Sequence, residues 1–276
     1  MKPRPKKKNP TTNATPTPTP TSPSLRDQIL TDFTTLRVPV TADQLDAALT
    51  DAEQNGRSHL EFLHRLLTAQ AGLRRQRRIE RLIKDANFRE ALPLSTFDWN
   101  FNPAIPRLQI ETLAQGDFIR RKQNVVFAGQ SGLGKSRLIQ SIGLAACMLQ
   151  HPVHYITSGE LLEDLTAAMA DQTLPDRVRF YAKFHFLIID EFGFDRIERS
   201  LCPQAVSLWY KIIDARNQRV STALVTNIDF ESWTTYLGDP QLAMAVLDRV
   251  VDGATIVKLK GKSYRMHRGP GTSETP

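Results

Sequence analysis

Residues 25–92 carry apolar positions at helical spacing. Thr41 is a candidate N-cap and Gly56 a candidate stop for one helix, and Ser58 opens a longer one. Pro93 is expected to end the helical run, because proline lacks the N–H that a helix interior needs. The pattern therefore predicts a small N-terminal helical domain. The apolar positions of its long segment are Leu60, Leu63, Leu67, Ile79, Leu82 and Ile83.

From residue 106 the pattern alternates between amphipathic stretches and short apolar runs. Strands that alternate with helices indicate a parallel sheet covered on both faces. The predicted strands are Asn124–Ala128, Val153–Thr157, Phe184–Asp190, Val220–Thr226 and Thr255–Leu259. The predicted helices are Ile105–Lys122, one from the glycine loop to Leu149, one capped by Ser158, one starting at Pro175, residues 203–218, one around Trp233, and Leu242–Val251.

Composition divides the chain further. Residues 1–24 hold seven of the 17 prolines, with Thr and Pro alternating near the end, so they have little to bury and are expected to be disordered or polyproline-like. The predicted organisation is a tail (1–24), a helical domain (25–92), an α/β core (93–268) and a C-terminal tail (269–276). We expect no helical domain after the last strand.

The overall composition argues against two classes of protein, membrane-spanning and secreted. The longest apolar runs are far shorter than the roughly 20 residues of a membrane-spanning helix, and the basic N-terminus lacks the apolar stretch of a signal peptide. Only two cysteines occur, Cys147 and Cys202, without metal-ligand spacing, so two ordinary buried thiols are expected. Together these features favour a cytoplasmic protein.

The net charge of +7 is unevenly distributed. Residues 1–8 and residues 71–84 each carry +5, so the remainder is slightly acidic. In the second segment, Arg74, Arg78 and Arg81 lie at i, i+4 and i+7 on one side of a helix, and Arg75 and Arg77 widen the stripe. Concentrated charge of this kind is a candidate footprint for the phosphates of double-stranded DNA. A solubilising tail and a solvated helix face are the alternative interpretations.

A glycine-rich loop carries the most specific chemistry. Gly129 to Ser136 reads G-Q-S-G-L-G-K-S and lies between an apolar strand and a helix, the context that makes this phosphate-binding motif specific. Lys135 is expected to reach the β- and γ-phosphates of ATP, and the Ser136 hydroxyl to ligate Mg²⁺. The residues predicted to bind nucleotide are Gly129, Gln130, Ser131, Gly132, Leu133, Gly134, Lys135, Ser136 and Arg137.

Two acids end the strand that begins at Phe184. Ligands of a parallel sheet lie beyond the carboxyl ends of its strands, so Asp190 and Glu191 are expected beside the phosphates. Asp190 would hold magnesium and Glu191 would polarise the attacking water, which favours hydrolysis over phosphorylation of a small molecule. Asn227, which ends another strand, could contact the γ-phosphate or that water, although Thr-Asn is also ordinary turn chemistry.

Together these motifs resemble the AAA+ ATPases of the IstB/DnaC group, specifically the IstB-like helper ATPases of insertion sequences. The resemblance spans about residues 41–268. Its loop departs from the usual G-P-P-G-T-G-K-T at Gln130, Ser131, Leu133 and Ser136 but keeps the glycines and Lys135. The markers are Phe97-Asp-Trp99, Asn124–Gly129, Leu187–Gly193, Thr226-Asn227, Trp233, Gly238-Asp-Pro240, Leu247-Asp-Arg249 and Gly261–Arg265.

The resemblance implies an ATP-dependent homo-oligomer that assembles on DNA and recruits or stimulates a transposase. Asn227 matches the sensor asparagine, and Arg249 matches the arginine offered to the γ-phosphate of a neighbouring subunit. Without the resemblance, Arg249 would be interpreted as a helix-end cation paired with Asp248 or Asp252. The role of Arg265, in nucleotide sensing or DNA contact, stays open.

Alternatives remain at this point. A replicative helicase loader that binds single strands, or a nucleotide-gated adaptor without appreciable hydrolysis, would carry the same loop and acids. Phe97 and Trp99 could contact the adenine or simply pack in the core. Trp209, Tyr210 and Trp233 are interpreted as core or interface residues. The sequence also leaves the role of Arg216 open.

Overall fold

The computed structural model describes residues 24–193 and 204–264. The expectations for the tails, Cys202 and Arg265 concern residues outside these ranges. The chain divides into two compact units, one up to Arg74 and one from Arg75 onward.

The first unit is helical. It contains α1 (Leu25–Thr35), α2 (Ala42–Gln54) and the greater part of α3 (His59–Asp85). Thr41 caps α2 with a capping box. Its hydroxyl accepts from the Gln44 N–H, and the Gln44 side chain accepts from the Thr41 N–H. The Glu61 carboxylate accepts from the N–H of Ser58 and fixes the start of α3.

Helix α3 ends at Asp85, so the expectation that Pro93 ends it was wrong. Asn87 adopts a left-handed φ of 59°, and the backbone N–H of Tyr155 donates to the Ala86 carbonyl at 2.8 Å. The Asn87 side-chain amide also donates to the Tyr155 carbonyl, at 3.3 Å. The chain leaves the helix where Ala86 and Asn87 bond to Tyr155. Leu82, Ile83 and Ala86 pack in the core of the second unit. The boundary between the two compact units therefore falls inside α3. The functional domain limits drawn from the sequence stay a prediction.

The second unit is built on a five-stranded sheet with the order β2-β3-β4-β1-β5. Every neighbouring pair is parallel, as the alternation of helices and strands predicted. The strands are β1 (Val125–Ala128), β2 (Val153–Thr157), β3 (Phe186–Phe192), β4 (Ser221–Thr226) and β5 (Thr255–Lys258).

Helices surround the sheet close to their predicted positions, with two differences. The predicted helix Ile105–Lys122 is broken at Gly116, whose φ of 79° is left-handed. Thr157, and not Ser158, caps the helix that follows β2. The helices are α4 (Arg107–Ala114), α5 (Asp117–Arg120), α6 (Lys135–Met148), α7 (Ser158–Ala170), α8 (Leu174–Ala182), α9 (Ala205–Arg216), α10 (Trp233–Leu237) and α11 (Pro240–Val251), with short 3-10 turns at Leu94–Thr96 and Phe230–Ser232.

Successive strand residues point to opposite faces, which gives the sheet two cores. On one face Phe127 and Ile188 pack with α4 and α6. On the other, Val126 and Ile189 pack with α9, α10 and α11. Trp209 and Trp233 are fully buried in this second core, so both are core residues. The described helices include none that is long and apolar enough to cross a membrane.

Of the two cysteines, Cys147 lies within the described residues, where it is buried and free. Burial raises the pKa of its thiol to about 12. The thiol therefore stays protonated at neutral pH, and the expectation of an ordinary buried thiol is confirmed at this position.

Arg216, near the end of α9, is only 1% exposed. Its guanidinium donates to the Thr222 hydroxyl at 2.9 Å, to the Phe184 carbonyl at 3.1 Å, and to the carbonyls of Tyr181 and Ser221. Burial lowers the pKa of Arg216 to about 9, which leaves the group charged at neutral pH. The side chain thus ties α9 to α8, to the loop before β3 and to the start of β4.

Replacing Arg216 with methionine should destabilise the protein by about 2–4 kcal/mol, because buried acceptors would lose their donors. Urea unfolding measures this loss. Arg219→Met, at a neighbouring exposed arginine, is the matched control and should change stability by less than about 0.5 kcal/mol. Equal stability of the two variants would show that the buried guanidinium does not hold these elements together.

Candidate nucleotide site

A cavity of about 820 Å³ is lined by residues that end or follow β1, β3 and β4. Since parallel strands present their carboxyl ends at one edge of the sheet, residues distant in sequence meet there. Of the predicted residues, those that line the cavity are Ser131, Gly132, Leu133, Gly134, Lys135, Ser136, Arg137, Asp190, Glu191 and Asn227. Gly129 and Gln130 lie at the base of the same loop.

The glycine loop has the backbone that its sequence predicts. Gly132 and Gly134 adopt φ values of 83° and 82°, which side-chain-bearing residues rarely take. A Cβ on Gly132 would lie 2.0 Å from the Ser263 hydroxyl, and one on Gly134 would lie 3.1 Å from the Phe97 ring. The loop is therefore tight on both sides and leads directly into the N-terminus of α6, where free N–H groups favour an anion.

Lys135 begins α6 and is largely buried. Its ammonium group donates to the carbonyl oxygens of Gly129 at 2.6 Å and Gln130 at 2.8 Å. The lysine is thus held over the loop that carries it. Ser136 follows in the first turn of the helix and lines the cavity.

Asp190 is 1% exposed and lies two residues before the end of β3. Its Oδ2 accepts from the Tyr155 hydroxyl at 2.9 Å, and its Oδ1 accepts from the backbone N–H of Glu191 at 2.8 Å. Burial, together with the charge of Asp190, raises the pKa of Tyr155 far above its usual range. The tyrosine therefore remains a donor, and it fixes the direction of the carboxylate.

Glu191 has a left-handed backbone with a φ of 61°. The register between β3 and β4 shifts between Ile189 and Phe192, which places Glu191 at an irregularity in the ladder. Such conformations cost energy in residues other than glycine and recur at functional sites. The side chain is 38% exposed, and its Oε1 accepts from Arg89 at 3.2 Å.

Arg249 does not line this cavity. It lies on α11 and pairs with Asp214 at 2.9 Å, instead of with Asp248 or Asp252. It also donates to the Tyr210 hydroxyl at 2.9 Å, and its guanidinium lies 4.7 Å from the centre of that ring.

Arg137 lines the cavity, yet its guanidinium is held by the segment before α4. It donates to the carbonyl and hydroxyl of Thr96 at 3.0 and 2.9 Å and lies 3.8 Å from Glu90. These contacts place Arg137 at the rim of the cavity.

Aromatic rings form one side of the cavity. Phe97 lines it, whereas Trp99 packs edge-on against Phe97 and lies beneath the Arg107 guanidinium. Phe101 and Tyr264 also line it and meet edge-to-face at 4.8 Å. With Tyr155, four aromatic rings line the cavity; the sequence analysis proposed one of them, Phe97, as a nucleotide contact and missed the other three.

Several other lining residues were also absent from the predicted site, among them Arg89, Gln140, Tyr155 and Lys262. Of these, Tyr155 could be found only with the strand order known, because β2 becomes the neighbour of β3 only in the assembled sheet. Arg89 lies in a segment that the helical pattern had assigned to the first domain.

The predicted DNA-binding arginines lie on α3 and are exposed: Arg74, Arg75, Arg78 and Arg81. Within the described chain none of them takes part in an ion pair of 4 Å or less. Glu80, the acid among them, accepts instead from the Gln76 amide at 3.0 Å. Their charge is therefore available to a partner.

A parallel sheet with this strand order, a glycine loop leading into α6 and an acidic strand end define a P-loop protein of the AAA+ class. Residues 31–270 match the family described as IstB-like ATP binding protein. The chain belongs to that family, and the resemblance identified from the sequence is confirmed.

Curated relatives extend over most of the chain. A protein of insertion sequence IS232 from Bacillus thuringiensis subsp. berliner, named for ATP binding, is 35% identical over 87% of this chain and 94% of its own length. A protein of insertion sequence IS5376 from Geobacillus stearothermophilus, similarly named, is 33% identical over 84% of this chain and 90% of its own.

Solved structures share the fold. The crystal structure of DnaI covers 66% of this chain and 94% of its own, with a TM-score of 0.50 and 17% identity. The replication initiator DnaA, bound to AMPPCP and single-stranded DNA, covers 64% of this chain and 52% of its own, with a TM-score of 0.50 and 14% identity. At these identities the likeness supports the AAA+ fold and nothing finer.

Proposed function

We propose that this chain is an ATP-hydrolysing, DNA-binding helper of transposition that oligomerises on DNA and recruits or stimulates a transposase. Its family consists of ATP-binding proteins, and its curated relatives belong to insertion sequences. The observation that carries the proposal is the convergence of Lys135, Ser136, Asp190, Glu191 and Asn227 on one cavity.

The glycine loop would hold the phosphates of ATP. Its tight backbone and the N-terminus of α6 supply N–H donors without side-chain bulk. Lys135 would exchange the carbonyl groups of Gly129 and Gln130 for the β- and γ-phosphates. The residues assigned to the nucleotide run from Gly129 to Arg137.

The oxygen ligands present fit a magnesium ion. Asp190 is a nearly fully buried carboxylate without a cationic partner among the described ion pairs, and the Ser136 hydroxyl lines the same cavity. Hard oxygen donors of this kind, one or two per site together with phosphate oxygens, are what magnesium prefers. When bound, the ion would neutralise charge on the phosphates. Tyr155 would keep the Asp190 carboxylate in place for it.

Glu191 and Asn227 would act on the attacking water. The left-handed turn at Glu191 separates its carboxylate from that of Asp190, so that one acid serves the metal and the other serves as base. Asn227 follows β4 and lines the cavity, from where its amide could orient the water or contact the γ-phosphate.

Arg249 lies outside the nucleotide cavity of its own subunit. It would therefore act on the nucleotide site of a neighbouring subunit. An arginine that reaches a transferring phosphoryl group accelerates related NTPases by about 10³–10⁵. To do so it must leave Asp214 and Tyr210 when the subunits meet. Hydrolysis would then depend on assembly.

The exposed arginines of α3 support the DNA-binding part of the proposal. Their uncompensated charge suits the phosphates of a duplex, and phosphate contacts of this kind make affinity strongly dependent on salt. A helicase loader is the alternative, and it differs in preferring single strands and in binding a helicase.

Glu191→Gln should abolish steady-state ATP turnover while ATP still binds, because the amide cannot accept a proton from the water. Phosphate release and nucleotide binding, measured on the same preparation, check this. Glu163→Gln, which changes an acid on α7 that lies outside the lining of the cavity, serves as the charge-matched control and should retain turnover. Undiminished turnover in Glu191→Gln would show that this carboxylate is not the base.

Arg74, Arg75 and Arg78 changed together to alanine should weaken duplex binding and reduce the slope of log K against log salt by about 0.9 per lost phosphate contact. Fluorescence anisotropy at several salt concentrations measures both. The control replaces Arg107, Arg120 and Arg179, three arginines that pair with acids of their own helices. If the two triple variants bind alike, the effect is one of net charge, and α3 is not the contact surface.

A further inference from the structure

We infer that Arg89 is a positioning residue that restrains the Glu191 carboxylate and so holds basal ATP turnover down. This inference rests on the proposed role of Glu191 as the base. Its first observation is direct: the Arg89 guanidinium donates to Glu191 Oε1 at 3.2 Å at the lining of the nucleotide cavity.

The backbone of Arg89 is held in place by α6. Its N–H and that of Glu90 both donate to the Gln140 side-chain carbonyl, at 2.8 and 3.1 Å. Further along, the Ser141 hydroxyl donates to the Leu92 carbonyl at 2.8 Å. Gln140 and Ser141 belong to the helix that follows the glycine loop, so Arg89 is anchored to the nucleotide site itself.

The guanidinium has a second acidic neighbour. It lies 3.6 Å from Glu160 and above the Tyr155 ring, 6.0 Å from its centre. The Glu160 carboxylate is fixed by the capping box of α7, where its Oε2 accepts from the Thr157 N–H at 2.9 Å and from its hydroxyl at 2.8 Å. Arg89 therefore joins a fixed carboxylate to the one proposed for catalysis.

The contact restrains Glu191 for a geometric reason. A general base must present a carboxylate lone pair to the attacking water within hydrogen-bond reach. The lone pair that accepts from Arg89 is directed to the guanidinium. The bonded backbone of Arg89 and the contact with Glu160 hold that guanidinium in its place. Glu191 must therefore give up this ion pair before it can take the water in that direction.

The strength of the restraint on Glu191 follows from the solvent exposure of the two paired side chains. The side chains of Arg89 and Glu191 are 52% and 38% exposed, so water screens their attraction. Exposed ion pairs of this kind contribute at most about 1 kcal/mol, which corresponds to a factor of about five. Releasing Glu191 should thus raise turnover modestly, by about two- to fivefold.

The test measures kcat and KM for ATP hydrolysis by the full chain and by Arg89→Ala, with saturating magnesium. We expect kcat to rise about two- to fivefold with KM unchanged. Arg89→Lys, which keeps a cation that can reach the carboxylates, should return kcat toward the wild-type value. Arg120→Ala removes an arginine from a comparable surface ion pair with Asp117 and should leave both constants unchanged.

A fall in kcat on Arg89→Ala would overturn the inference, since Arg89 would then assist the base. An unchanged kcat would also overturn it, and a raised KM would show that Arg89 binds the nucleotide instead. The double variant Arg89→Ala/Glu191→Gln should be inactive, which shows that the added turnover passes through Glu191. Failure of the proposed function looks different: wild-type protein without turnover, or Glu191→Gln with full turnover.

Discussion

The hydrogen bond from Tyr155 to Asp190 is the interaction on which the nucleotide site depends. It crosses from β2 to β3 inside the sheet and holds a buried carboxylate at the carboxyl end of its strand. A buried acid without such a donor would be costly. Because the tyrosine remains protonated, the carboxylate has a fixed direction. The chain turns at the next residue, where Glu191 has a left-handed φ of 61°. That turn brings Glu191 out of the ladder and gives two adjacent acids two different surroundings.

Parallel pairing then brings the remaining groups to the same edge. β1 leads into the glycine loop, β3 carries the two acids close to its carboxyl end, and β4 ends before Asn227. The register shift at Glu191 is accommodated because β3 and β4 resume pairing at Phe192 and Thr226. The site is thus a consequence of the sheet: its three contributions come from strand ends that the topology makes neighbours.

Much of this could be predicted from the sequence, for physical reasons. The loop at Gly129 to Ser136 requires its glycines wherever it occurs, and apolar runs that alternate with helical spacing require a covered parallel sheet. Contacts between distant segments could not be predicted. The end of α3 is set by pairing of Ala86 and Asn87 with Tyr155, which no local pattern reveals. The role of Arg216 becomes clear only when its carbonyl partners are assembled around it, and Arg89 meets Glu191 from a segment that local spacing assigned to another domain.

In the proposed site, Asp190 holds the metal that accompanies ATP. Calorimetric titration of ATP into the wild-type protein and into Asp190→Asn, each with and without magnesium, tests this most directly. The amide keeps an acceptor for the Tyr155 hydroxyl and removes the charge. We expect magnesium to strengthen ATP binding to the wild-type protein and to have little effect on the variant. An equal effect of magnesium on both proteins would contradict the account.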